Sequence, residues 1–283
     1  MELLPMSVLL KQAVANEYAV PAFTVWNAET MIAVLKSAEK LKAPVIMMSG
    51  PAEFSVMTPA DMGAVARAVA KRFQVPAALH LDHGDSLDLV ADCLAAGYTS
   101  VMLDFSCRPL RENSAAMRRV VEMARPLNVT VEGELGVIGQ ADQTALEGGQ
   151  CSALTDPEVA ATFVRETHID ALAVSIGNAH GIYKTLPHLD FDLLARLQAV
   201  VPAALVLHGG SGTPAEYLRR AIALRIAKVN VASELVSALR QSLLDQWEAK
   251  QNMWVPLAQA AGIRAMAQVV EKWFHLTGAA GRA

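Results

Sequence analysis

The sequence predicts a (β/α)8 TIM barrel, on three observations. Short apolar runs of strand length alternate eight times with stretches whose apolar residues recur at helical spacing. At 283 residues with no Ser/Gly-rich or charge-rich linker, the chain reads as a single domain over residues 1–283. Its unusual polar residues gather at the C-terminal ends of the apolar runs, the face on which such barrels carry chemistry. An open doubly wound sheet is the alternative, but it would collect ligand groups at one switch point rather than at most strand ends.

In chain order, residues 6–17 have helical spacing and form an extra N-terminal helix before the first strand, 19–25, which closes in Trp26 and Asn27. A helix over 28–42 leads to strand 44–48, stopping at Ser49-Gly50. The next helix opens on Thr58, Pro59 and Asp61: a hydroxyl cap, proline in the first turn and an acid at the third position. Strand 77–84 (AALHLDHG) is the most informative stretch, because an apolar run ends in His80, Asp82, His83 and Gly84. Side chains two apart share a face, so His80 and Asp82 point together, and His83 points oppositely unless the strand has turned. A helix over 86–96 and strand 100–103, ending in Asp104 and Ser106, follow. Helix 112–125 leads to a strand that opens at 129–131 and ends in Glu132-Gly-Glu134-Leu-Gly136, and a Gly- and Gln-rich loop extends to about residue 153. Asp156 caps a helix; strand 171–176 closes in His180-Gly181; a helix spans 191–200; strand 204–207 ends in His208-Gly209-Gly210-Ser211-Gly212. Thr213, Pro214 and Glu216 repeat the capping pattern, strand 226–229 ends in Asn230-Val231-Ala232-Ser233, and helices beginning at Glu234 complete the chain.

Apolar residues make up 53% and charged residues 18%, enough to bury a large core and leave apolar surface for a homo-oligomer interface. The net charge is −4 with Lys and Arg scattered, so neither nucleic acid nor an anionic membrane is an expected partner; a small molecule is. Three cysteines, Cys93, Cys107 and Cys151, have no CxxC spacing, which argues against a disulfide framework or a thiolate zinc site and fits a reducing cytoplasm. No run approaches the roughly 18 apolar residues of a membrane span, so a soluble, unexported protein is expected.

Three strand ends pair a histidine with glycine: His83-Gly84, His180-Gly181 and His208-Gly209. A lone histidine at a strand end is more often structural, but three at equivalent places in a closed barrel converge as neutral imidazoles on a metal with open positions. All-histidine ligation suits Zn²⁺ or Co²⁺ better than Mg²⁺. Gly209 to Gly212 before a capped helix reads as a phosphate cradle, where backbone N–H groups and the helix N-terminus meet an anion, and Asn230 to Ser233 also precede a helix. Asp82 is placed for general acid or base work, while Glu134 and Asp104 either orient ligand imidazoles or hold a second metal; for Asp104 and Glu132 a purely structural role is as good a reading. A Lewis acid, a phosphate pocket and a proton-transfer carboxylate can stabilise an enediolate beside a carbonyl, which is aldol chemistry.

The motifs HLDHG, VEGELG, GNAHGIYK, LHGGSG and KVNVASE, in this order, resemble the class II, metal-dependent ketose-bisphosphate aldolases, the fructose- and tagatose-bisphosphate aldolase family, over nearly the whole chain. The resemblance implies one Zn²⁺ per subunit on His83, His180 and His208, Glu134 close to the metal, and Asp82 moving the proton of the hydroxyl at the cleaved bond. It implies that Gly181, Gly209, Gly210, Ser211, Asn230, Val231, Ala232 and Ser233 hold dihydroxyacetone phosphate with a monovalent cation such as Na⁺ nearby. Asn27 and Ser49, at the first two strand ends, join the substrate-binding set. It also implies a dimer or tetramer.

The chain departs from the family pattern at three places. Asp104-Phe105-Ser106-Cys107 stands where the family often has Asp-Gly-Ser-His, narrowing the pocket. The loop after Glu134 carries only Asp142 near Gly139 and Gln140 where relatives have acidic residues, and Asn252-Met253-Trp254 lacks the arginine that meets a distal phosphate. That missing guanidinium points to a ketose 1-phosphate or keto-sugar acid phosphate whose aldehyde half has no phosphate, as the alternative to a bisphosphate. Two rival classes remain: a metallohydrolase, which should show His-x-His on the first strand where Phe23-Thr24-Val25 stands, and a non-catalytic phosphosugar-binding accessory subunit.

Overall fold

The computed structural model describes residues 2–142, 153–183, 185–249 and 254–283. Cys151, most of the Gly- and Gln-rich loop, Lys184, Asn252 and Met253 lie outside them. Helix α1 (Met6–Ala15) precedes β1 (Val20–Thr24), α2 (Ala28–Leu41) and β2 (Val45–Ser49). Then come α3 (Pro59–Ala70), β3 (Ala77–Gly84), α4 (Leu87–Ala95), β4 (Ser100–Leu103), α5 (Leu110–Ala124) and β5 (Thr130–Leu135). After a two-residue strand β6 (Gly139–Gln140), the chain forms α6 (Pro157–Thr167), β7 (Ala171–Val174), a second short strand β8 (Ala179–His180) and α7 (Phe191–Val200). It ends in β9 (Ala204–Leu207), α8 (Ala215–Ala223), β10 (Ile226–Val231), α9 (Ser233–Glu248) and α10 (Val255–Leu276).

The eight longer strands pair in parallel and close in the order β1-β10-β9-β7-β5-β4-β3-β2, the expected (β/α)8 barrel; β6 and β8 pair only with each other, above its rim. Closure buries both faces of every strand, and β1, β2, β4, β5, β7 and β10 are buried at every residue. The helices follow their local signals. Thr58 and Asp61 make a reciprocal capping box at α3, and Asn27 makes one with Thr30 at α2, satisfying N–H groups that a helix start otherwise leaves unpaired.

Strand β5 runs through Glu132 and Glu134 to Leu135, the stretch in which the sequence reading ends it. Two other boundaries differ from that reading. Strand β7 stops at Val174, and the Asn178 side chain then accepts the Ile176 N–H in a turn. Thr213 does not cap α8: that helix starts at Ala215 with no side-chain cap, and the Thr213 hydroxyl turns back to the Gly209 carbonyl.

Candidate active site

The C-terminal end of β3 supplies two neighbouring groups to one centre. Against β4 its register shifts between Leu81 and Gly84, and His83 takes a left-handed backbone (φ 45°), so the strand bulges and turns His83 toward the barrel axis beside Asp82. Alternation alone would have sent them to opposite faces. Gly84 makes the bulge possible, since a Cβ there would sit 2.6 Å from the Met102 carbonyl oxygen.

His83, His180 and His208 come together with ring centroids 4.8–5.7 Å apart. His83 Nε2 and His208 Nδ1 face each other at 3.0 Å, and the buried His180 Nε2 has no hydrogen-bond partner among the described residues. Each imidazole is held from behind or from its own loop. His83 Nδ1 is 2.8 Å from Asp104 Oδ2, and His208 Nε2 is 2.9 Å from Glu132 Oε1. His180 sits on β8, braced by β6, by the Tyr183 hydroxyl that accepts the Ala179 N–H, and by Asn178, whose side chain donates to the His208 carbonyl. The triangle of ring nitrogens and the combination His83, Asp104 and Glu134 are the two groups of ligand atoms among the described residues compact enough for a metal ion. A buried imidazole nitrogen with no partner, aimed at two others, is what a cation would complete, so the residues present fit a zinc ion.

The electrostatics agree. Burial alone would lower His83, but Asp82, the hydrogen bond His83 Nδ1 donates to Asp104 and the charge of Glu134 outweigh it and push the imidazole up to about 10. Burial, then His83 and His208, hold His180 well below its ordinary value, so the imidazole is neutral. Burial would raise Asp82, yet His83, His208, Lys228 and His80 together keep its carboxyl well below the usual carboxylate range. Glu134 goes the other way: burial and the nearby Asp104 raise it well above that range, and its Oε2 lies 3.6 Å from His208 Nδ1.

Asp82 Oδ1 accepts from Asn230 Nδ2 at 3.0 Å, and the buried Asn230 Oδ1 has no hydrogen-bond partner among the described residues. Both residues line a cavity of about 390 Å³ together with His180, Gly181, Gly209, Ser211, Ala232 and Ser233. Gly209 adopts φ 66° with its Cα against the Ala179 carbonyl, an approach any side chain would block. Gly210 and Val231 are placed differently: the Gly210 N–H donates to the Asn230 carbonyl, tying the two loops, and Val231 is buried in β10 beside Phe23. Ser49 lines the cavity, its hydroxyl 2.7 Å from that of Tyr98. Asn27 caps α2 and lines a neighbouring groove with Trp26 and Glu53. Asp142 accepts the Ile182 N–H at 3.2 Å, just past His180.

Four contributors to the site were not singled out from sequence. Lys228, fully buried in β10, donates to Glu132 at 2.8 Å; a lysine inside an apolar barrel strand was the available signal. Thr24, Glu53 and Arg240 line the far end of the cavity, and Glu53 is fixed there by the Gly50 N–H and the Thr24 hydroxyl. Arg240 supplies from α9 a guanidinium that the segment before α10 lacks. No local pattern announces it, because which face of α9 overhangs the barrel depends on closure.

A closed barrel whose rim gathers three imidazoles and an ionised carboxylate beside a cavity lined by glycine and hydroxyl groups belongs to the class of barrel enzymes with their site at the C-terminal ends of the strands. The family comparison makes this particular: the model for "Fructose-bisphosphate aldolase class-II" matches residues 5–282, and the chain belongs to that family. It is similar, at 31% identity over 100% of both chains and a TM-score of 0.89, to the YdjI aldolase from Escherichia coli K12. A putative fructose-1,6-biphosphate aldolase from Coccidioides immitis is 28% identical over 97% of this chain and 96% of its own, with a TM-score of 0.84. The fructose-bisphosphate aldolase Fba from Campylobacter jejuni, 21% identical over 98% and 95%, shares the fold at a TM-score of 0.84. The protein is an aldolase, a carbon–carbon lyase, and among the described residues no helix is long and apolar enough to cross a membrane.

Proposed function

We propose that the protein is a zinc-dependent aldolase that reversibly cleaves a phosphorylated ketose, of the tagatose or fructose 1,6-bisphosphate type, into dihydroxyacetone phosphate and an aldehyde. The observation that carries this is the unpartnered His180 Nε2 beside the facing nitrogens of His83 and His208, with the Asp82 carboxylate at the same cavity wall. Zn²⁺ held by the three imidazoles supplies, when bound, a Lewis acid for a ketose carbonyl. Asp82 accepts the proton of the hydroxyl next to the breaking bond and returns it in condensation; Asn230 Nδ2 orients its carboxylate, and the free Asn230 Oδ1 is an acceptor for a second substrate hydroxyl. Gly181, Gly209, Ser211, Ala232 and Ser233, on three adjoining loops and the start of α9, cradle the phosphate, with a monovalent cation expected beside it.

The far end of the cavity decides the aldehyde. Thr24, Ser49, Ser237 and Glu53 offer hydroxyl and carboxylate groups to a polyhydroxy chain, and Arg240 stands at the exposed end of that wall. A distal phosphate is therefore met from α9, and a keto-sugar acid phosphate fits the same guanidinium. Arg240→Ala is expected to raise KM about fivefold for substrates ending in phosphate or carboxylate, the worth of an exposed charge pair of about 1 kcal/mol. It should leave ketose 1-phosphates with uncharged ends unchanged. Equal effects on both would remove Arg240 from specificity, and uncharged 1-phosphates as the best substrates would favour the alternative reading.

Cys93 and Cys107 are free thiols, in keeping with a reducing cytoplasm. The exposed Trp247, Trp254, Val255 and Leu257 along α9 and α10 support a homo-oligomer, a dimer or tetramer.

A further inference from the structure

Beneath the three imidazoles runs a chain of buried hydrogen bonds that substrate does not touch. Lys228 Nζ donates to both oxygens of Glu132, at 3.0 and 2.8 Å, and lies 3.2 Å from His80 Nε2. An ammonium can only donate, so His80 Nε2 carries a lone pair and its hydrogen sits on Nδ1, 2.8 Å from Ser100 Oγ. The Ser100 hydroxyl in turn donates to Met6 Sδ at 3.6 Å. On the other side the Glu132 carboxylate, held by Lys228, can only accept, so the hydrogen of His208 is on Nε2, 2.9 Å from Glu132 Oε1. That leaves His208 Nδ1 with a lone pair facing His83 Nε2. One buried cation thus dictates hydrogen positions on two histidines in opposite directions.

We propose that Lys228 and Glu132 are positioning residues that lock His208 as its Nε2–H tautomer, so that the ring offers Nδ1 to the metal and cannot flip. The inference rests on the reading of His83, His180 and His208 as metal ligands, and it says what makes one of them competent. A ligating imidazole whose other nitrogen is tied to a carboxylate binds its metal more tightly, and losing such a partner lowers metal affinity roughly 10–100-fold.

Two substitutions separate this role from a merely structural one. In Glu132→Leu no acceptor is left opposite His208 Nε2, so nothing holds the ring hydrogen there and it is free to move to Nδ1, into the metal site. In the double variant Lys228→Met, Glu132→Gln the acceptor is restored without the ammonium: the amide NH2 reaches toward His80 Nε2, 3.8 Å from the present Glu132 Oε2, and its oxygen accepts from His208. The experiment is long-range ¹H–¹⁵N spectroscopy of histidine-labelled full-length protein, before and after zinc, with zinc affinity measured by indicator competition.

The wild type should show His208 hydrogenated at Nε2 in both states. Glu132→Leu should lose the single Nε2–H tautomer and show a roughly 10–100-fold weaker zinc affinity, and the double variant should recover both. An Nδ1–H signal for His208 in the zinc-free wild type overturns the proposal even if no variant folds. So does a Glu132→Leu protein with wild-type tautomer and affinity. If zinc leaves the signals of His83, His180 and His208 unmoved, it is the metal-ligand reading that fails, and the zinc-free spectra still decide the tautomer.

Discussion

Replacing Asp82 by alanine is expected to lower kcat for carbon–carbon cleavage by roughly 10²–10⁴-fold, the range for losing a positioned proton-transfer group, while zinc content stays at that of the wild type. The reasoning is geometric. Asp82 lies next in sequence to His83 but is not one of the compact nitrogen ligands; its carboxylate lines the cavity and is aimed by Asn230. Its acidity is set by the surrounding imidazoles and Lys228, so at neutral pH it stands ready as the base for a substrate hydroxyl. Asp82→Asn keeps the shape and an acceptor for Asn230 and should be nearly as inactive, which would separate proton transfer from orientation. Measured kcat within a few-fold of wild type for both variants would remove Asp82 from the chemistry.

Removing the metal is expected to have the larger effect. Chelation should depress cleavage by at least roughly 10³-fold, given that a Lewis acid contributes several kcal/mol at the transition state, and Zn²⁺ or Co²⁺ should restore it. His180→Ala should reproduce the loss without a chelator. Because His180 Nε2 has no partner among the described residues, its truncation breaks no hydrogen bond of that atom, and the fold should tolerate it. His208→Ala should also lose zinc but cost about 1.5–3 kcal/mol of stability, since it takes one of two donors from the buried Glu132 Oε1, leaving Lys228. Zinc content and thermal melting measured side by side distinguish the two. A chelator-resistant protein with zinc-free activity would contradict this account.

The fold was readable because its signals are local. Thr58-Pro59-Ala-Asp61 announces α3 whatever lies around it, and a run such as Ala171-Leu-Ala-Val174 is long enough for a strand and too short for a helix. The three histidines were readable because strand ends in a barrel meet at one rim. What lay beyond reach depended on partners distant in sequence. Glu132 and Glu134 look like the polar end of a strand, but what stands around them inside the barrel is distant: Lys228, 96 residues away, pairs with the first, and burial with the nearby Asp104 raises the second well above the usual carboxylate range. The facing of His83 depended on a bulge whose only trace is Gly84. Thr213 repeats a capping pattern that works at Thr58, but beside the turn at Gly212, whose N–H is taken by Glu234, it stands one residue short of the cap position, which Pro214 occupies. Arg240 could be assigned only once α9 was seen to overhang the cavity.

The central claim, a metal-dependent aldolase releasing dihydroxyacetone phosphate, is tested most directly by assaying that product from the zinc-loaded protein with fructose and tagatose bisphosphates, ketose 1-phosphates and keto-sugar acid 1-phosphates. The account predicts dihydroxyacetone phosphate from at least one of these, fastest where the far end is anionic, with release abolished by chelation and by Asp82→Ala. No release from any member of the panel by protein that holds its zinc would contradict it and favour a phosphosugar-binding subunit without the chemistry.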